Sequence, residues 1–189
     1  MSPEIVEEGN SQSVAVFSGS TLGANPIYAS VANELGKILA ARGLSLICGG
    51  GNSGLMGVLA NSVLNAGGMV IGVIPRELAG REVANERLSS IVTVNTIDDR
   101  NAFIQRMAST FISMPGGLGT VEEFFRIFSL VKMGLLSKPL GILNIAGYYD
   151  PILMLLSNMA SDGFIKGKHI ELCSVADDAT LLLDMLFKK

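Results

Sequence analysis

Thr110-Phe111-Ile112-Ser113-Met114-Pro115-Gly116-Gly117-Leu118-Gly119-Thr120-Val121-Glu122-Glu123-Phe124-Phe125-Arg126-Ile127-Phe128 decides how the chain folds. Thr110 to Ser113 reads as a short buried strand, and Phe124 onward as the start of a helix. Between them lies a glycine-rich turn. Such a turn lets backbone N–H groups approach an anion, and a helix N-terminus adds about half a positive charge. A phosphate is the natural occupant. Thr120 can donate its hydroxyl to it, and Glu123 sits one turn into the helix. The same letters allow a plainer reading. Thr120-x-x-Glu123 is also a capping box, in which two side chains satisfy orphan amides and do nothing else. A cap does not need three glycines.

Outward from this stretch, strands and helices alternate. Ser13 to Phe17 reads as the first strand, followed by the small-residue turn Ser18-Gly19-Ser20-Thr21. Pro26 opens a helix over Ile27 to Ala41, and Gly43 closes it. Leu44 to Cys48 is a second strand, Leu55 to Asn65 a helix, and Met69 to Ile74 a third strand. Arg76 to Ser90 is a long polar connection of the kind that often carries function. Ile91 to Val94 then makes a strand and Asp98 to Ala108 a helix. The helix of the opening stretch is expected to run to about Leu136. Pro139 to Asn144 is the next strand, with helices over Tyr149 to Ser161 and Asp177 to Phe187. This alternation predicts an α/β, doubly wound, Rossmann-like sheet, mostly parallel, with helices on both faces. A flexible arm over residues 1–12 and a single nucleotide-binding domain over 13–189 are expected.

Composition narrows the class. The 189 residues are 49% hydrophobic and 16% charged, with a net charge of −3. Nothing here draws the chain to nucleic acid or to an anionic membrane. Gly43 to Pro75 is uncharged, but glycine clusters at 49–54 and 67–68 break it, so neither piece spans a bilayer. Two cysteines, Cys48 and Cys173, and a single histidine, His169, give no disulfide framework and no metal-ligand cluster. The expected setting is cytoplasmic, with no metal and no cofactor.

In a doubly wound sheet the ligand lies at the carboxyl ends of the strands. Three glycine-bearing turns fall there: 18–21, 49–54 and 115–120. Gly49, Gly51 and Gly54 fit G-x-G-x-x-G, but the acidic residue that should end the next strand is missing from Met69 to Pro75. A mononucleotide fits better than a dinucleotide. No P-loop is present.

Pro115-Gly116-Gly117-Leu118-Gly119-Thr120-Val121-Glu122-Glu123 matches PGGxGTxxE, the signature of the Lonely Guy (LOG) family, and the chain resembles that family over nearly its whole length. Gly49-Gly50-Gly51 with Gly54-Leu55-Met56-Gly57, Val73-Ile74-Pro75-Arg76 and Gly147-Tyr148-Tyr149-Asp150-Pro151 belong to the same resemblance. It implies hydrolysis of a cytokinin riboside 5'-monophosphate, or of AMP, to free base and ribose 5-phosphate. It also implies a homodimer. Arg100 and Glu123 would be catalytic. Substrate contacts would come from Glu82, Asn101, Gly116, Gly117, Gly119, Thr120, Val121, Glu122 and Ser129, with Ser18, Gly19, Gly50, Gly51 and Met56 from the other two turns. One segment departs from the family. Ile97-Asp98-Asp99-Arg100-Asn101 stands where Met-His-x-Arg-Lys is usual. Asn101 can hydrogen-bond but cannot supply a cation, and Asp98 and Asp99 add negative charge. That departure keeps a non-catalytic alternative in view, a nucleotide or molybdenum-cofactor carrier on the same fold. A pyridoxal-phosphate decarboxylase would need a lysine at the site, and none occurs between Lys37 and Lys132.

The chemistry also follows from the residues. Breaking a nucleotide glycosidic bond develops positive charge on the ribose. A carboxylate beside C1′ stabilises it and can orient or deprotonate water. Glu123 has that position, and Arg100 can hold phosphate or ribose oxygens beside it. The plainer reading of Arg100 is a surface ion pair with Asp98 or Asp99.

Overall fold

The computed structural model describes residues 12–78 and 85–188. Among them are seven strands and six α-helices: β1 (Ser13–Phe17), α1 (Ile27–Ala41), β2 (Ser45–Cys48), α2 (Gly54–Asn65), β3 (Val70–Pro75), β4 (Ser90–Val94), α3 (Ile97–Met107), β5 (Thr110–Ser113), α4 (Leu118–Lys132), β6 (Leu140–Leu143), α5 (Asp150–Ser161), β7 (Cys173–Ala176) and α6 (Ala179–Leu186). The strands form one sheet in the order β4-β3-β2-β1-β5-β6-β7, and every pair is parallel. The chain winds outward from β1 to β4, returns to the other side of β1 as β5, and winds outward again. The loops leaving β1 and β5 therefore diverge and open a crevice between them.

Successive side chains of a strand point to opposite faces, and β1 feeds two cores in this way. Val14 and Val16 join the cluster with α1, α2 and α6, while Ala15 and Phe17 join the one with α3, α4 and α5. Burial on both faces is why β1, β2, β5 and β6 read as continuous apolar runs. The doubly wound expectation is met.

Three details differ from the sequence reading. β7 had no counterpart, because Cys173 to Ala176 is short and follows a 3₁₀ turn over Gly167–Leu172. α4 begins at Leu118, not Phe124, with Gly117 at its N-cap and no side-chain cap. Thr120 is thus a buried first-turn residue and forms no capping box with Glu123. At its other end α4 stops at Lys132, with Gly134 at φ 71°, short of Leu136. A capping box does form on α3, where Thr96 and Asp99 exchange bonds. The arm expected over 1–12 lies outside the described residues except for Gln12. Most of the long connection after β3, including Glu82, lies outside them too.

Two contacts are stringent. A Cβ at Gly36 would stand 2.5 Å from Ser62 Cβ and 2.9 Å from Leu59 C=O, so α1 and α2 touch where no side chain fits. Tyr149 is fully buried. Its hydroxyl donates to Met114 C=O at 2.7 Å and shares a 2.7 Å hydrogen bond with Ser113 Oγ. Burial holds its phenol well above the ordinary tyrosine range, so it stays a neutral donor.

Gly36→Ala, which in an exposed helix would gain up to ~1 kcal/mol, is expected here to lose about 1–3 kcal/mol through overpacking. Tyr149→Phe strands a buried carbonyl and is expected to cost about 1–3 kcal/mol. Urea unfolding of both variants, with slopes matching the parent, checks the two values.

Candidate functional site

The crevice between β1 and β5 holds a cavity of about 520 Å³, within the size range of small-molecule sites. Its floor is the end of β1 and β2, from Val16 to Ser18 and from Ile47 to Gly49. One wall comes from α3, with Ile97, Arg100 and Ile104 at helical spacing. The other comes from the start of α4, with Gly117 to Thr120, Glu122 and Glu123. Met56, from the first turn of α2, closes the side.

The three glycine turns meet because their backbones are tied to one another. Gly19 N–H donates to Pro115 C=O at 3.0 Å, and Gly19 C=O accepts from Leu55 and Met56 N–H at 3.0 and 3.3 Å. A Cβ at Gly116 would lie 2.2 Å from Thr120 Oγ1, and one at Gly54 would lie 2.2 Å from the Ser20 carbonyl carbon. Only glycine allows either approach. The first backbone bond of α4 runs from Val121 N–H to Gly117 C=O at 3.1 Å. The amides of Leu118, Gly119 and Thr120 lie ahead of that ladder, at the positive end of the helix, beside the cavity.

The same cavity holds an ion pair. Arg100 Nη2 contacts Glu123 Oε1 at 2.7 Å, and each side chain is 16% exposed. α3 supplies the arginine and α4 the carboxylate. Arg100 Nε and Ser18 Oγ, both buried and belonging to residues that line the cavity, have no hydrogen-bond partner among the described residues. The plainer alternative for Arg100, a surface pair with Asp98 or Asp99, does not appear among the described residues. Asp98 lies 3.5 Å from Arg126, which is also held by Glu122 at 2.8 Å, and Asp99 caps its own helix. Neither added carboxylate lines the cavity. Cys48 lines the cavity, but burial pushes its thiol up to about 11, which leaves it neutral and poorly nucleophilic.

Of the residues singled out in the sequence, Ser18, Met56, Arg100, Gly117, Gly119, Thr120, Glu122 and Glu123 line this one cavity. Gly19 and Gly116 sit just behind its rim and shape the turns. Gly50, at φ 83°, faces Ile74 and accepts a bond from Asn85 N–H, while Gly49 takes the place beside Met56 and Arg100. Gly51 and Val121 do not line the cavity. Asn101 is buried and borders a small space behind Glu123 with Gln105 and Arg126. Ser129 is exposed, more than a turn farther along α4. Glu82 lies outside the described residues. Sequence reading missed Ile97 and Ile104 as cavity residues. Their spacing with Arg100, at i, i+3 and i+7 on one helix face, was the available signal.

The chain is similar to several known proteins. The family model described as "Possible lysine decarboxylase" matches residues 56–186. The probable cytokinin riboside 5'-monophosphate phosphoribohydrolase LOGL9 of Oryza sativa subsp. japonica is 41% identical over 181 residues, 96% of this chain and 80% of the relative. Cytokinin riboside 5'-monophosphate phosphoribohydrolase LOG2 of Arabidopsis thaliana is 36% identical over 173 residues, 92% of this chain and 81% of the relative. Among solved structures, the molybdenum cofactor carrier protein of Chlamydomonas reinhardtii superposes with a TM-score of 0.71 over 95% of this chain and 99% of that one. At 20% identity it shares the fold. The lysine that a pyridoxal-phosphate lysine decarboxylase would need is absent from the described cavity lining, whereas Gly117 to Thr120 and the Arg100–Glu123 pair stand together in it. With relatives this similar along almost its whole length, the chain belongs to the LOG family.

Proposed function

We propose that the chain hydrolyses the N-glycosidic bond of a nucleoside 5'-monophosphate, a cytokinin riboside 5'-monophosphate or AMP, to free base and ribose 5-phosphate. The observation that carries this reading is the Arg100–Glu123 pair, 2.7 Å apart, in the same cavity as the first amides of α4. The 5'-phosphate sits on the Gly117 to Thr120 amides, with the Thr120 hydroxyl close by. Its tether then brings the ribose to Glu123. Met56, Ile97 and Ile104 offer the base an apolar wall.

In this reaction a water oxygen bonds to C1′ as the C1′–N bond breaks. The bonding pair leaves with the base nitrogen, which takes up a proton from solvent, and the water loses its proton to Glu123. The Glu123 carboxylate also faces the positive charge that grows on the ribose ring. Arg100 keeps that carboxylate in one orientation, and its remaining N–H groups are available to ribose or phosphate oxygens. Glu82 is retained as a second sugar contact on the resemblance alone.

A homodimer is part of the same proposal. Ser129 stands on an exposed flank of α4 that continues into Met133 and Leu135, which are 56% and 71% exposed. A second protomer covering that flank would bring Ser129 to the partner's site. No helix among the described residues is long and apolar enough to cross a membrane. The two buried cysteines are free thiols, in keeping with the proposed cytoplasmic setting.

Purified protein given AMP or isopentenyladenosine monophosphate is expected to release free base, measured by chromatography. Glu123→Gln is expected to lose about 10²–10⁴-fold in kcat, the range for a general base, with AMP binding retained. Arg100→Ala is expected to lose activity on the same scale, with a weaker grip on ribose 5-phosphate as well. A parent that binds AMP and frees no base overturns the hydrolase reading.

A further inference from the structure

The turn between β6 and α5 is built at a conformational cost. Ala146 is the one non-glycine residue with positive φ, at 52°, among the described residues. Gly147 follows at 71°, and a Cβ there would lie 2.6 Å from Asp150 Oδ2. Asn144 ties the turn together, accepting Tyr149 N–H at 2.7 Å and donating to Asp150 at 2.8 Å. Left-handed non-glycine residues persist where the surroundings enforce them, and often where position matters. The result here is two adjacent tyrosines under the glycine turn of the site. Tyr149 donates to Met114 C=O, and Tyr148 donates to Gly116 C=O. Tyr148 is braced edge-on by Tyr28 and by Tyr149, with ring centroids 5.8 and 5.2 Å away.

A peptide unit is planar and trans, so its C=O and the following N–H point in opposite directions. The peptide in question joins Gly116 to Gly117. Glycine on both sides leaves it freer to rotate than any other peptide of the turn. Its carbonyl is drawn to Tyr148, on the side where Tyr28, Leu55 and Tyr148 line a separate cavity of about 250 Å³. Its N–H points the opposite way, and Gly117 lines both that cavity and the one that holds Arg100 and Glu123.

We propose that Tyr148 is a positioning residue for the anion cradle: its hydroxyl locks the Gly116–Gly117 peptide so that the Gly117 amide faces the bound phosphate. Tyr148 touches neither the substrate nor the reacting atoms. Its effect reaches the phosphate through one peptide, and it rests on the reading that this turn holds the 5'-phosphate.

The test compares Tyr148→Phe, which keeps the braced ring, with Tyr148→Leu, which does not. Calorimetry measures ribose 5-phosphate and adenosine binding, and initial rates with AMP give KM and kcat. Loss of one hydrogen bond that orients a donor predicts about three- to tenfold weaker ribose 5-phosphate binding in both variants. KM for AMP should rise by the same factor, with kcat and adenosine affinity within about twofold of the parent. The proposal is overturned if Tyr148→Phe binds ribose 5-phosphate like the parent, or loses adenosine equally. A parent that binds adenosine but not ribose 5-phosphate removes the phosphate reading itself, a distinguishable failure. Independently of how the variants fold, the Gly117 amide of the parent should shift in a ¹⁵N–¹H spectrum on adding ribose 5-phosphate. An unmoved Gly117 amide also overturns the assignment.

Discussion

Gly19 joins three parts of the chain through its own backbone. Its N–H reaches the turn after β5, and its C=O reaches the first amides of α2. β1 is the central strand, so the loop that leaves it stands between the two halves of the sheet. By bonding to both sides, that loop draws the turns after β2 and β5 to one point. A side chain at Gly19 would crowd Thr21 C=O at 3.1 Å and Gly116 Cα at 3.3 Å. The site thus exists because backbone meets backbone at the switch of strand order. The side chains that line it are placed by that contact.

On this frame the Arg100–Glu123 ion pair is divided between two helices. Arg100 and Glu123 lie 23 residues apart, on elements that flank β5 in the chain and pack on the same face of the sheet. Beside them Arg126 bridges Asp98 of α3 and Glu122 of α4, a second clasp across the same seam. Exposed pairs of this kind add little stability singly. Here the outer clasp engages Asp98, which does not line the cavity, together with Glu122, which does. The segment that departs from the family pattern is thereby absorbed without placing a new carboxylate on the cavity wall.

Much of this was legible in the sequence, for physical reasons. Buried parallel strands have no polar face, so β1, β2, β5 and β6 stand out as apolar runs between glycine turns. Gly43 marked the end of α1 because that position needs positive φ. The Pro115 to Glu123 turn and the Arg100 pairing were readable as pattern and chemistry. β7 was not, since four residues after a 3₁₀ turn carry too little periodicity. The start of α4 was misread because Thr120 and Glu123 imitate a cap, whereas the Val121 N–H to Gly117 C=O bond puts Thr120 already inside the helix. The inward turn of Asn101, behind Glu123 and away from the main cavity, depends on the packing of α3 against α4. No spacing rule encodes that.

The amides of Gly117 to Thr120 have one more implication. Among the described residues, Arg100 is the only cation lining the cavity, and Glu122 and Glu123 line it too. An anion placed there meets fixed peptide dipoles, with no cluster of mobile lysines to draw it in. Dipoles release no counterions on binding, so dissolved salt competes with them far less than with a basic patch. Such a site is slow to collect ligands from a distance and selective once they arrive. Under the proposed function, the phosphate is recognised there by shape and by the direction of its oxygens, with little foothold for the many other polyanions that a cell contains.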